Sequence, residues 1–216
     1  MLNQPYRKRP VAHVMRDIRS ILTQHKRPFI ELADDNTFVD HAWGKHLCRE
    51  LIPLGIKWFT ETDISVAEDL ELLRLMRQTR CRQVLIGLES PDRTALEGIE
   101  LRADFKSRHA SVYMEAVRLI QGEGITVNGC FVLGLDGQTP DIFQQVLDFA
   151  MAASLYDVQI TVLTPFPGTP LYDRLLREDR ILSPERWDLC TLFDVNFVPR
   201  NMSVDQLRED LIWLAK

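Results

Sequence analysis

The chain has 216 residues, which suits one domain with a sizeable core and leaves two full domains unexpected. A hydrophobic share of 45% and a charged share of 26% are ordinary for a soluble globular protein, and the net charge of -5 argues against a general nucleic-acid surface. No apolar run approaches the roughly 20 residues needed to cross a bilayer, so a cytoplasmic protein without a membrane partner is expected.

The first ten residues carry the basic cluster Arg7-Lys8-Arg9 with no apolar stretch behind it, so a secretory signal is not expected and the cluster reads as the solvated entry to a helix. Val11, Val14, Met15, Ile18 and Ile21 then recur at helical spacing. Apolar runs rich in β-branched and aromatic residues begin near Pro28, Ile56, Gln83, Thr126 and Asp157 and read as strands. Between them, helical spacing returns in Trp43, Leu47 and Leu51; in Leu70, Leu73 and Met76; in Val112, Ala116, Leu119 and Ile120; and in Ile142, Val146, Phe149 and Ala153. Helix boundaries are marked by Ser65 with Glu68 as a capping box, Thr139 before Pro140 as a cap, Gly122 and Gly124 as a stop, and Ser203 with Gln206 as the opening of a final helix.

Strands alternating with helices imply a parallel sheet, because a parallel neighbour needs a crossover long enough to hold a helix. The expected fold is therefore α/β, barrel-like or doubly wound. Val84 to Leu88 and Cys130 to Leu135 are apolar at consecutive positions, which predicts strands covered on both faces. Ligands of such folds bind at the carboxyl ends of the strands. The residues there are Asp34, Asp35 and Asn36; Glu61, Thr62 and Asp63; Glu89 and Ser90; Gly134, Asp136, Gly137 and Gln138; and the stretch from Thr164 to Thr169. Each cluster alone fits a turn or a strand stop. Repeated after five strands, they form a polar rim of the kind a small polar ligand needs. In the last of them Pro165 and Pro167 fix their φ angles beside the permissive Gly168, which makes a rigid turn that can serve as a ligand wall.

Cys48, Cys81, Cys130 and Cys190 are far apart in sequence, and the five histidines form no ligand motif, so reduced structural thiols and no local metal site are expected.

The segments Tyr6 to Pro10, Phe29 to Asn36, Ile86 to Ser90, Gly129 to Thr139 and Pro165 to Tyr172, taken in order, resemble a radical S-adenosylmethionine domain of the type often fused to a cobalamin-binding domain. The resemblance runs from about Tyr6 to Phe197. It implies a partial TIM-like barrel over residues 1–200, followed by a C-terminal helix over 201–216 that packs on the barrel or opens a further segment. It also implies binding of S-adenosylmethionine and, with a four-iron four-sulfur cluster, generation of a 5′-deoxyadenosyl radical. By the same resemblance Asp34 and Asp35 meet the methionine amino group, Glu89 and Ser90 meet the ribose or methionine part, and Val132, Leu133 and Gly134 support the adenine. A branched side chain at Gly134 would then intrude on the adenine. Glu61, with Asp63, contributes from the next strand, Lys106 occupies the approach to a helix, and Pro165 belongs to the wall on the substrate side. The resemblance assigns no catalytic residue and no metal ligand within the chain.

The family's CxxxCxxC cluster loop and the strand that carries it have no counterpart in this sequence, whose start matches the region just after them. The cluster is thus expected only in an intact protein, with a flavodoxin or ferredoxin as electron donor and cobalamin in an upstream domain. Two readings stand side by side: the downstream part of a longer enzyme, or a remnant that binds a nucleotide-like ligand or a partner. The retained strand-end motifs favour the first. A third reading is an ordinary barrel enzyme in which Asp34 and Asp35 bind a divalent metal.

Overall fold

The computed structural model describes residues 7–96, 112–214 and 216. Five parallel strands form one sheet in the order β1-β2-β3-β4-β5: β1 Phe29–Leu32, β2 Lys57–Thr62, β3 Cys81–Glu89, β4 Thr126–Leu133 and β5 Asp157–Val162. Each begins within two residues of its sequence expectation. The helices are α1 Val11–Gln24, α2 His41–Leu51, α3 Leu70–Gln78, α4 Tyr113–Gly122, α5 Ile142–Ala152, α6 Pro170–Arg177 and α7 Val204–Leu214. The architecture is an α/β partial barrel with outer helices.

The outward side chains of the strands make the core. Trp58, Val84, Ile86, Val127, Phe131 and Leu133 are fully buried beside Met15, Leu47, Leu51, Leu72, Met76, Val117 and Ile120 of the helices. Each such side chain contributes about 1.5–3 kcal/mol through burial. Trp58 also needs a polar partner, and its indole N–H donates to the Thr79 carbonyl at 3.0 Å. Cys48 and Cys81 belong to this core. Burial pushes the Cys48 thiol up to about 12 and the Cys81 thiol up as well, so both are inert neutral thiols.

The inner face is different. Burial alternates along β3 and β4, with Gln83, Leu85, Gly87, Asn128, Cys130 and Val132 only half-buried. The consecutive apolar runs therefore do not mean two covered faces: one face meets helices and the other lines an incomplete barrel. Phe29 and Phe59 stack at 5.4 Å, and their alternation along β1 and β2 puts Glu31 and Glu61 on that same inner face.

Two helix starts differ from their sequence reading. Ser65 does not cap α3; it lies in a short 3₁₀ turn capped by Asp63, and α3 is capped by Asp69, whose side chain accepts the Leu72 N–H at 3.0 Å. Thr139 bonds to Asp141 instead of capping α5, whose first residue is Ile142. The other two boundaries hold: α4 ends at Gly122 with Gly124 at φ +75°, and Ser203 accepts the Gln206 N–H at the start of α7. Leu207 of α7 is fully buried against the barrel near Gly134.

The two edges of the sheet are unlike. Beyond β5 the chain folds back through residues 181–198, bridging Ile181 to Phe197, and Val162 donates its N–H to Leu192 at 2.7 Å. The loop thereby takes up an edge donor that β4 cannot reach. At β1 no further strand is present among the described residues, and a cavity of about 320 Å³ opens between α1, β1 and α2, lined by Ile18, Ile30, Leu32, Trp43 and Leu47 together with Lys8 and Asp34. The basic cluster sits at its rim, where Lys8 pairs with Asp40, and Arg9 with Asp17 at 2.7 Å.

Candidate functional site

Because all five strands are parallel, their carboxyl ends share one edge of the sheet. Asp34 follows β1, Glu89 ends β3 and Gly134 follows β4 along that edge. The loop after β1 is stapled onto β2. Asn36 donates from Nδ2 to Asp63 at 2.6 Å, Thr37 donates its N–H to the Glu61 carbonyl at 3.1 Å, and the Thr37 and Thr60 hydroxyls meet at 2.6 Å. Asp34 accepts the Asn36 N–H at 3.1 Å, an Asx turn that fixes the aspartate pair above the strand.

The result is an acidic corner. Burial, followed by the carboxylates of Asp35, Glu31 and Asp34, pushes the Glu61 carboxyl above its ordinary range. Asp34, Asp35 and Glu61 are thus brought together, and Glu31 joins them although the sequence reading did not single it out. Its signal was the two-residue alternation from Phe29. Among the described residues no group of three or more acidic, histidine or cysteine side chains is arranged to hold a metal ion.

At β3 the pairing with β4 shifts between Gly87 and Glu89, and Glu89 sits at φ +63°. A bulge of this kind turns the end of a strand, and a glutamate in the left-handed region is strained. Glu89 is half-buried at the rim. Ser90 is not at the rim. It is 0% exposed, and its hydroxyl accepts the Asp92 N–H at 3.2 Å and lies 3.5 Å from Nε2 of Gln138. Gln138 in turn accepts from the N–H groups of Gly134 at 2.8 Å and Leu135 at 3.1 Å, and donates to the Val132 carbonyl at 2.9 Å. Ser90 and Gln138 therefore position the ends of β3 and β4.

Val132 is half-buried on the inner face, whereas Leu133 is fully buried in the outer core. Gly134 is at φ +91°, and a side chain there would meet the Phe197 ring at 2.6 Å and Leu207 at 3.2 Å. The space beside its α-carbon is filled by protein, which corrects the expectation that a branched residue would intrude on a ligand. Pro165 is buried, with its carbonyl facing the Cys190 thiol at 4.0 Å, and the exposed part of that turn is Phe166 to Gly168. Lys106 and Tyr6 lie outside the described residues.

The four cysteines do not form a cluster site. Cys48 and Cys81 are locked in the outer core, Cys130 is on β4, and Cys190 is on the loop beyond β5. An iron–sulfur cluster needs grouped thiolates, and these residues do not supply them.

No protein-family model matches the chain. It is 34% identical over 167 residues to the hopanoid C-2 methylase of Rhodopseudomonas palustris, covering 72% of this chain and 30% of that protein. It is 25% identical over 191 residues to the bacteriochlorophyllide d C-12(1)-methyltransferase of Chlorobaculum tepidum, covering 88% and 40%. The chain thus spans well under half the length of these curated relatives. Among solved structures it superimposes on the radical S-adenosylmethionine methyltransferase TsrM of Kitasatospora setae. With cobalamin and a [4Fe-4S] cluster bound there, the TM-score is 0.64 at 20% identity, over 79% of this chain and 32% of that one. With tryptophan and an S-adenosylmethionine analogue bound, it is 0.66 at 21% identity, over 79% and 33%. The chain has the partial-barrel fold of the radical S-adenosylmethionine domain and is related to methyltransferases built on it.

Proposed function

We propose that this chain is the cofactor-facing segment of a cobalamin-associated radical S-adenosylmethionine methyltransferase. The carrying observation is the acidic corner at the ends of β1 and β2, where Glu31, Asp34 and Asp35 crowd Glu61. S-adenosylmethionine presents an ammonium and a sulfonium, and carboxylates on a half-buried wall are the matching partners. Bound there, the cofactor supplies a methyl group or, once reductively cleaved, a carbon radical.

The chain's own residues would bind and orient. Asp34 and Asp35 would accept from the ammonium, with Glu61 and Glu31 holding the potential negative. The inner-face side chain of Val132 and the backbone at Leu133 and Gly134 would lie along the adenine, and Glu89 would accept from the ribose hydroxyls. Ser90 acts at one remove, through Gln138. The cysteines present do not fit a cluster, so no step is assigned through one.

Isothermal titration of the purified chain with S-adenosylmethionine tests this reading. Saturable binding that weakens about tenfold in Glu61→Gln is expected, consistent with losing one partly desolvated charge contact of about 1.4 kcal/mol. Equal affinity in wild type and variant, or no binding in either, overturns it.

A further inference from the structure

We infer that the loop 187–193, with Phe166 beside it, is the substrate wall of this site and is shaped for a large, apolar, fused-ring molecule. The inference rests on the methyltransferase reading and names the substrate class that reading leaves open.

The loop is held at the carboxyl end of β5 from two directions. Its Leu192 carbonyl accepts from Val162 at 2.7 Å, and its Cys190 thiol lies 4.0 Å from the Pro165 carbonyl. A third contact comes from Trp187, whose ring lies 5.8 Å from that of Tyr172 in α6. Segments at strand carboxyl ends are where ligands of parallel α/β barrels bind. What this segment shows to solvent is apolar: Phe166 is 40% exposed, Trp187 50%, Leu192 39% and Phe193 61%. Four large apolar side chains on one short stretch of surface exceed the scatter of single exposed residues that a soluble domain carries without consequence.

Two further observations narrow the ligand. First, the loop offers little charge to an ionic group. Arg186 is closed onto Asp188 through two bonds of 2.7 and 2.6 Å, and Asp194 accepts from the Thr191 hydroxyl at 2.7 Å. Second, Leu192 adopts φ +68°, a conformation a bulky residue keeps only when its surroundings impose it. The bond from the Val162 N–H to the Leu192 carbonyl helps to hold that conformation, and with it the apolar shelf. Rigid aromatic rings displayed beside charges already paired with one another suit flat apolar partners, which bury large area at small entropic cost. The two named relatives act, by their names, on a hopanoid and on a bacteriochlorophyllide, both fused-ring molecules.

The test uses protoporphyrin IX as the fused-ring probe and follows the shift of its strongest absorption band on titration with the whole chain. Saturable binding is expected, at least tenfold weaker in Trp187→Ser/Phe193→Ser and retained in Trp187→Phe, with far-ultraviolet circular dichroism checking that each variant is folded. An unfolded double variant is replaced by Phe193→Ser alone, for which at least threefold weakening is expected. Equal affinity in the serine variants overturns the proposal. Displacement of the probe by palmitate at equal concentration also overturns it, in favour of a linear lipid chain. So does a dimer in sedimentation velocity that dissociates in the double variant, because a second copy then covers the shelf. S-adenosylmethionine titration of the same samples keeps the two readings apart: lost cofactor binding with intact porphyrin binding sinks the methyltransferase assignment alone.

Discussion

The amide of Gln138 lies 3.5 Å from the hydroxyl of Ser90, which directly follows the neighbouring strand β3, 48 residues earlier. Gln138 joins this contact to three backbone groups of residues 132–135, so one buried side chain fixes both the shape of the turn after β4 and its distance from β3. Two strand ends of the candidate site thus share one fastening.

Gln138→Ala removes all of it at once and leaves the Gly134 and Leu135 N–H groups without their acceptor. Each buried unsatisfied group costs about 1–3 kcal/mol, so a loss of about 2–4 kcal/mol is expected after partial relaxation. Urea denaturation followed by tryptophan fluorescence reads it directly, and a midpoint unchanged from wild type would show that the turn is held by something else.

Gly134→Ala should act on folding more than on affinity. The residue is at φ +91°, and the new methyl would stand 2.6 Å from the Phe197 ring. Left-handed strain together with this overlap costs about 2–4 kcal/mol. Thermal unfolding at a fixed scan rate is the measurement, and a variant as stable as wild type would mean that Phe197 moves freely.

Asp136 anchors the outer end of the same turn. Burial pushes its carboxyl up, but hydrogen bonds from Arg180, at 2.7 Å, and from Arg174 outweigh that and hold it below the ordinary value of 3.8. A depressed acid stabilises the fold above its unfolded value, and the contribution disappears as pH falls through the folded one. Asp136→Asn is therefore expected to cost about 1–3 kcal/mol at pH 7, with the difference from wild type shrinking as the pH falls through the folded value. Denaturation curves at pH 7 and at a series of acid pH values check both halves.

Glu61 has the opposite sign. Its raised carboxyl means that the folded chain keeps this proton longer than the unfolded chain, whose value is near 4.5. Stability falls as pH rises from there through the folded value, and above it the ionised group is a standing cost. Glu61→Gln should flatten that part of the stability profile and make the neutral-pH protein slightly more stable. A profile that keeps its slope in the variant would move the titration to another group.

The strands were readable because an apolar run bounded by turn residues is a local signal, and all five begin within two residues of the start of those runs. The rim at the strand ends followed from parallelism alone. Caps were harder, since Asp63, Ser65 and Asp69 are each chemically able to cap and only packing decides among them. Glu31 escaped notice because the alternation that marks its face runs over only the four residues of β1, a weak signal beside the neighbouring aspartates. Ser90 and Gln138 looked like rim residues until the fold turned both inward. The loop from 181 to 198 has no periodicity to read, and its position depends on a backbone bond to Val162, which no side-chain pattern encodes.

The unequal edges of the sheet give the molecule a direction of growth. Beside β5 the chain's own returning loop takes up the Val162 N–H, so an incoming polypeptide finds the carboxyl end of that strand already occupied. Beside β1 no further strand lies among the described residues, and the strand borders a partly apolar hollow. An extended segment that joins this sheet beside β1, from the same chain or from a neighbour, would lie next to the acidic corner and away from the aromatic shelf.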